Sequence, residues 1–424
     1  MLQRIIRGLE LTLVLVILAS VTGYSNPSLT DKLEKIRAYT RQIEFNYLSW
    51  MGSAAMLKLR SASIGVPYTI EHGAQKQIVT EYLRTTQSIL EKEYLLEQLY
   101  ADAAIIDKDL ATEPTRSELE KLYARQTELA PFAESILQDQ VSQILTELGL
   151  TAIGQPVPNV WYHATPLPLA LIVSPRDRIE QTANVSLETD LTVDEQVALE
   201  DRVDQGLNTS SLVVHIGGVG VYPTMVMRST DMNWVLNTIA HEWIHNYLTL
   251  RPLGFFYNGS PELRTMNETT ASIAGNEIGG LVIERFYPEL IRASHPPLSL
   301  ISAPFDHPEP GDFLRPPFDF RAEMNKTRVT ADTLLAEGKI EEAEAYMESR
   351  RLVFLKNGYL LRKINQAYFA FHGAYADTPG GAAGQDPVGP AVRALREQSE
   401  SLADFVNTIS WMTDFEQLQE EINQ

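Results

Sequence analysis

The sequence predicts an α+β protein, mostly helical, with a small mixed β-sheet next to its central motif helix. Three observations carry this reading. Apolar residues recur at helical spacing through residues 26–150. Prolines, β-branched residues and short apolar runs replace that periodicity over 151–230. Helical spacing then returns and holds most of 231–424. The 424 residues are 44% hydrophobic and 21% charged, an ordinary globular composition, long enough for one large domain or two lobes.

Residues 1–25 read as an export signal or an N-terminal membrane anchor. Arg4 and Arg7 precede an apolar run, Leu11 to Val21, and small or polar residues follow it. The run is short for a spanning helix, which needs roughly 20 apolar residues. Both readings put the body outside the cytoplasm, and the absence of cysteine suits a bacterial cell envelope protein, whether periplasmic, extracellular or membrane-anchored.

Residues 26–150 form the expected helical N-terminal lobe. Ile78, Val79, Tyr82, Leu83, Ile89 and Leu90 keep one helical face, as do Ile136, Leu137, Val141, Ile144 and Leu145. Pro131 is expected to separate the latter helix from the one before it, and Gly149 to stop it. Residues 151–230 form the expected β-sheet subdomain, with a short helix through TVDEQVALEDRVDQ. Its last strand, VVHIGGVGVYPTMV, has Gly217, Gly218 and Gly220 at its centre, which suggests a bulge or close approach of another backbone. Residues 231–424 form the expected helical region. Its irregular parts are RPLGFFYNGSPELR, the proline-rich stretch around His295 and His307, and the tip DTPGGAAGQDPVG. TLLAEGKIEEAEAYMESRR reads as a single helical hairpin, too little for a solenoid.

Charge and composition exclude several classes. With 35 basic and 55 acidic residues, the net charge of −20 repels nucleic acid. With no cysteine there are no disulfides, thiolate metal sites or cysteine nucleophiles. Any metal is held by nitrogen and oxygen.

His241-Glu242-Trp243-Ile244-His245 is the motif that carries chemistry. On a helix, positions i and i+4 point the same way, so His241 and His245 present two imidazoles to one metal. Glu242 lies about 100° round the helix, within reach of a metal-held water without ligating. A catalytic zinc site needs a third protein ligand. No third histidine follows at metzincin spacing, which leaves a glutamate on a second helix. SPELRTMNETTASIAGNEIGG offers Glu268, 23 positions after His245, and a rival, Glu277. Nine residues apart, the two face opposite sides of one helix.

HEWIH followed by NETTAS resembles the gluzincin metallopeptidases, the group that includes thermolysin-like proteases and the zinc aminopeptidases. Asn267, Glu268 and Ala271 match the second motif of that group. The resemblance implies a zincin-like fold and a zinc ion held by His241, His245 and Glu268. It also implies Glu242 as general base and a peptide or protein as substrate. There are two departures. The gap to Glu268 is a few residues longer than usual, and Ser272 stands where thermolysin-like proteases carry an aspartate that orients a ligand histidine. The resemblance covers only the stretch around the site.

Gluzincins also use a Tyr or His to hold the oxyanion. Asn365, Tyr368, His372 and Tyr375 fall on one stripe of RKINQAYFAFHGAYAD, and Tyr368 or His372 is the expected donor. A polar stripe facing solvent is the other reading. The resemblance also makes the glycine strand the one that pairs with substrate. His215 on that strand either faces the pocket or, as a lone strand histidine, is structural. His72, His163, His295 and His307 have no ligand spacing. A non-catalytic envelope binding protein on a peptidase scaffold is the rival from another class, and a zinc hydrolase of a non-peptide amide or ester is the third. Endopeptidase and aminopeptidase are not distinguished.

Overall fold

The computed structural model describes residues 32–62, 65, 69–101, 105, 107–152, 154–293 and 318–423. The apolar N-terminal run and the proline-rich stretch with His295 and His307 lie outside the described residues. Among the described residues no helix is long and apolar enough to cross a membrane. The chain is mostly helical with small sheets, an α+β arrangement.

Among the described residues four helices come first: α1 (Lys32–Thr40), α2 (Tyr47–Ala62), α3 (His72–Ala101) and α4 (Lys108–Glu147). Val79 and Tyr82 of α3 meet Ala133, Ile136, Leu137, Val141 and Leu145 of α4, the faces set by the 3–4 spacing. Asp107 caps α4 by accepting from the Leu110 amide, and Gly149, at φ +81°, turns the chain away after its end. Two expectations fail here. Pro131 lies inside α4 and does not divide it. The proline removes one helical hydrogen bond, but the residues that follow it are anchored in the main core and hold the helix together. Helix α1 does not join the helical lobe. Its Ile36 packs with Leu171, Val185, Leu199 and Val203 on a sheet.

Among the described residues the strands form two three-stranded sheets where one was expected. In the first, β2 (Leu169–Pro175) lies between β3 (Ala183–Leu187) and β4 (Thr209–Val214), antiparallel to both. Leu171 stands opposite Val185 on one side and Val213 on the other. Alternation assigns the two faces. Leu169, Leu171 and Val173 pack under α1 and α5 (Val193–Leu207). Ala170 and Ile172 pack against Met324, Met347, Phe354 and Phe369 from the C-terminal helices. Thr192 and Glu195 form a reciprocal capping box at the start of α5.

The second sheet is mixed and lies beside the motif helix. Its order is β1 (Tyr162–Ala164), β6 (Thr224–Val226), β5 (Gly218–Val219), with β1 parallel and β5 antiparallel to β6. No strand among the described residues pairs with the outer edge of β5.

The C-terminal region contains α6 (Met232–Thr249), α7 (Pro252–Phe255), α8 (Pro261–Phe286), α9 (Pro288–Ala293), α10 (Phe320–Ala336), α11 (Ile340–Lys356), α12 (Gln366–His372), α13 (Val388–Gln398), α14 (Leu402–Ser410) and α15 (Phe415–Ile422). Helices α10 and α11 form the expected hairpin, turning at Gly338 with φ +75°. Helices α6 and α8 run in close contact because α8 presents glycines to α6. A Cβ at Gly275 would lie 2.8 Å from the Asn237 carbonyl oxygen, and one at Gly279 would lie 2.0 Å from Asn237 Oδ1. This close approach brings the two motifs together.

Candidate metal centre

Helix α6 begins at Asp231, whose carboxylate accepts from the Trp234 amide at 3.1 Å. Val235, Leu236, Ile239, Ala240, Trp243, Ile244 and Tyr247 fill the main core from it. Trp243 Nε1 donates to the Pro158 carbonyl at 2.7 Å, which fixes the rotation of the helix. His241, Glu242 and His245 are thereby left facing α8 and β5. On α8, Ser260 caps the first turn by accepting from Leu263, and Glu268 arrives two turns later.

The three expected ligands converge. His241 Nε2 and His245 Nε2 are 3.0 Å apart, and they lie 3.6 Å and 3.4 Å from Glu268 Oε2. The ligand atoms of this group lie within 4.8 Å of one another, so it could hold a metal ion. Glu268 Oε1 accepts from the Tyr257 hydroxyl, whereas Oε2 is buried without a hydrogen-bond partner. A buried carboxylate oxygen facing two imidazole nitrogens suits a cation, which satisfies all three at once. The histidine side chains are 16% and 17% exposed and Glu268 is 7% exposed, so the group is open on the imidazole side.

Neighbouring contacts fix the ligands. His245 Nδ1 lies 2.7 Å from Asn267 Oδ1; the carbonyl oxygen accepts, so Nδ1 carries a proton and, once the ring is neutral, Nε2 offers its lone pair. Asn267 donates in turn to the Leu253 carbonyl at 3.3 Å. Asn267 therefore fixes the ring orientation of His245 through Nδ1. Tyr257 comes from the loop between the motif helices and gave no signal in the sequence. Burial, and after it Glu268, push its phenol well above the ordinary range, so it remains a donor. Glu277 is elsewhere: Arg396 pairs with both its oxygens at 2.8 Å.

The charges are coupled. Burial raises the Glu268 carboxyl, but His245 and His241 outweigh it and hold it well below the usual carboxylate range. Burial lowers the His245 imidazole, but Glu268 outweighs that and lifts it to about 9. A metal must displace that proton below about pH 9, so affinity is lost as the pH falls. Apparent metal affinity should rise about tenfold per pH unit between about pH 6 and 8, with one proton released per ion. Titration calorimetry in buffers of different ionisation enthalpy measures the release. An affinity flat across that range would contradict the coupling.

Glu242 stands beside the triad without joining it. It is 6% exposed, and burial, opposed by the two histidines, raises its carboxyl. Strand β5 lies directly over it. A Cβ at Gly218 would lie 2.3 Å from Glu242 Oε1, and one at Gly220 would lie 3.0 Å from His245 Cβ. The glycines make room for the carboxylate under an unpaired strand edge.

Tyr368 and His372 are not in hydrogen-bond or ring contact with the triad. Tyr368 is buried among Ile172, Phe369 and Phe371, and its ring lies 4.4 Å from that of His372. Burial pushes the His372 imidazole down to about 4. Asn365 caps α12 by accepting from the Tyr368 amide and donates to the Ser211 carbonyl, a structural duty. The expected stripe breaks because α12 ends at His372. Tyr375, past that end, is the member that reaches the site. Its ring lies 6.3 Å from that of His241 at 27°, and the residue is 37% exposed. His163 pairs with the buried carboxylate of Glu134, which also meets Lys58, and is remote from the triad in contact.

No protein-family model, no curated protein and no solved structure matches this chain.

Proposed function

We propose that this chain is an exported zinc metallopeptidase of zincin-like fold, hydrolysing peptide bonds with Glu242 as general base. One observation carries the reading: a partnerless Glu268 Oε2 faces two imidazole Nε2 atoms, and a non-ligating carboxylate follows the first histidine directly. Two nitrogens and one oxygen with an open side suit catalytic zinc. Zinc, when bound, supplies Lewis acidity and lowers the pKa of water.

The chain's own residues do the rest. Glu242, its carboxyl raised by burial, takes a proton from the attacking water and passes it to the leaving amine. The phenol of Tyr375 takes the place expected of Tyr368 or His372 as donor to the developing oxyanion. The free edge of β5 offers backbone groups to an extended peptide. The apolar run Leu11–Val21 supports export to a bacterial envelope.

Metal analysis followed by a peptide-library digest, read by mass spectrometry, tests this. The expected result is about one zinc per chain and cleaved peptides. Turnover of esters or simple amides alone would move the reading to a non-peptide hydrolase, and zinc without turnover to a binding scaffold. Gly218→Ala should keep its zinc and lose turnover on the order of 100-fold, because the new methyl displaces Glu242. Wild-type kinetics in that variant would show that β5 does not confine the base.

A further inference from the structure

Tyr375 lies in a poor place for a preorganised group. Residues 373–384 contain four glycines, and Gly380, Gly381 and Gly384 take φ of +82°, +70° and +68°. The preceding helix α12 has only seven residues, and past its end only the Gly373 and Ala374 amides bond back, to the Phe369 and Phe371 carbonyls. Such a segment ought to be loose.

Guanidinium groups from three helices hold it instead. Arg264 of α8 donates from Nη1 to the Ala370 carbonyl at 2.8 Å and from Nη2 to the Phe371 carbonyl at 3.3 Å. Arg328 of α10 donates to the carbonyls of Phe369 at 3.4 Å and Ala382 at 3.1 Å. Arg321 of α10 takes the Pro379 carbonyl at 2.7 Å and also that of Thr378, and Arg393 of α13 takes that of Ala376. The clamped carbonyls bracket Tyr375 on both sides. Arg264 is the inner member, 8% exposed, without a carboxylate partner in hydrogen-bond contact, and one helical turn before Glu268. Its fork therefore ties the helix that bears a ligand to the end of α12, from which the segment with the phenol departs. A lysine has no such fork and cannot span two neighbouring carbonyls with fixed geometry.

We infer that Arg264 is a positioning residue that anchors the end of α12 to the ligand-bearing helix and so sets the Tyr375 phenol beside His241. The inference rests on the peptidase reading of the same centre. A purely structural arginine would change stability without a selective effect on Tyr375.

The test uses the full chain as wild type, Arg264→Lys, Arg264→Met, Tyr375→Phe and the double variant Arg264→Met/Tyr375→Phe. Hydrogen exchange is followed over residues 373–384, and acetohydroxamate affinity and peptide turnover are measured on zinc-loaded protein. Both Arg264 variants should keep zinc and exchange at least about tenfold faster over 373–378. Arg264→Met should lose turnover on the order of 100-fold at unchanged KM, with Arg264→Lys intermediate. The double variant should be no worse than Tyr375→Phe in turnover or in hydroxamate affinity, since a misplaced phenol and a missing one cost the same. Multiplying losses, or exchange unchanged in the well-folded Arg264→Lys, overturn the inference. Should wild type cleave no peptide, the peptidase reading fails by itself, and exchange and hydroxamate affinity still decide the role of Arg264.

Discussion

Glu242→Gln is expected to lose turnover by roughly 1,000-fold, about 4 kcal/mol of barrier, while keeping its full metal content. The amide has the shape of the carboxyl and fits under Gly218 but takes up no proton. Glu242 is outside the group of ligand atoms, so the metal has no reason to leave. A second effect runs the other way. Burial, with Glu268 adding to it, raises the Glu242 carboxyl in the folded chain. Ionised Glu242 therefore opposes folding as the pH rises through its raised pKa, and the neutral amide does not. After chelation, Glu242→Gln should melt no lower than wild type at neutral pH. Turnover within tenfold of wild type would remove Glu242 from the chemistry.

The second large effect concerns the ligands. Glu268→Ala should weaken zinc binding by well over about 100-fold, more than loss of an outer partner costs. Asn267→Ala, which frees the His245 ring, should cost about 10- to 100-fold. Glu277→Ala should cost nothing, since that carboxylate serves Arg396. Competition against a chromogenic chelator orders the three variants. Full affinity in Glu268→Ala would displace Glu268 from the ligand set.

Much of this centre was legible in the sequence because it is written at helical spacing. His241 and His245 share a face on any helix, and Glu268 lies on a helix whose glycines let it pack against the first. What failed to show was set by tertiary contact or by where a helix stops. Tyr257 reaches Glu268 from an irregular loop, with no period to announce it. The stripe through Tyr368 and His372 assumed a helix continuing to Tyr375. Gly373 ends it, with its amide bonded back to the Phe369 carbonyl, and the turn carries Tyr375 alone towards His241. The division of the strands into two sheets depends on pairing partners, which alternation within a strand does not record. Pro131 stays helical because the residues beyond it are held in the core, a tertiary override of local preference.

Anomalous diffraction at the zinc edge from zinc-loaded crystals tests the central claim most directly. The expected result is one strong peak bonded to His241 Nε2, His245 Nε2 and a Glu268 oxygen, at about 2.0–2.2 Å from each. A zinc-saturated crystal with its peak elsewhere, or with no peak among these three residues, would contradict it.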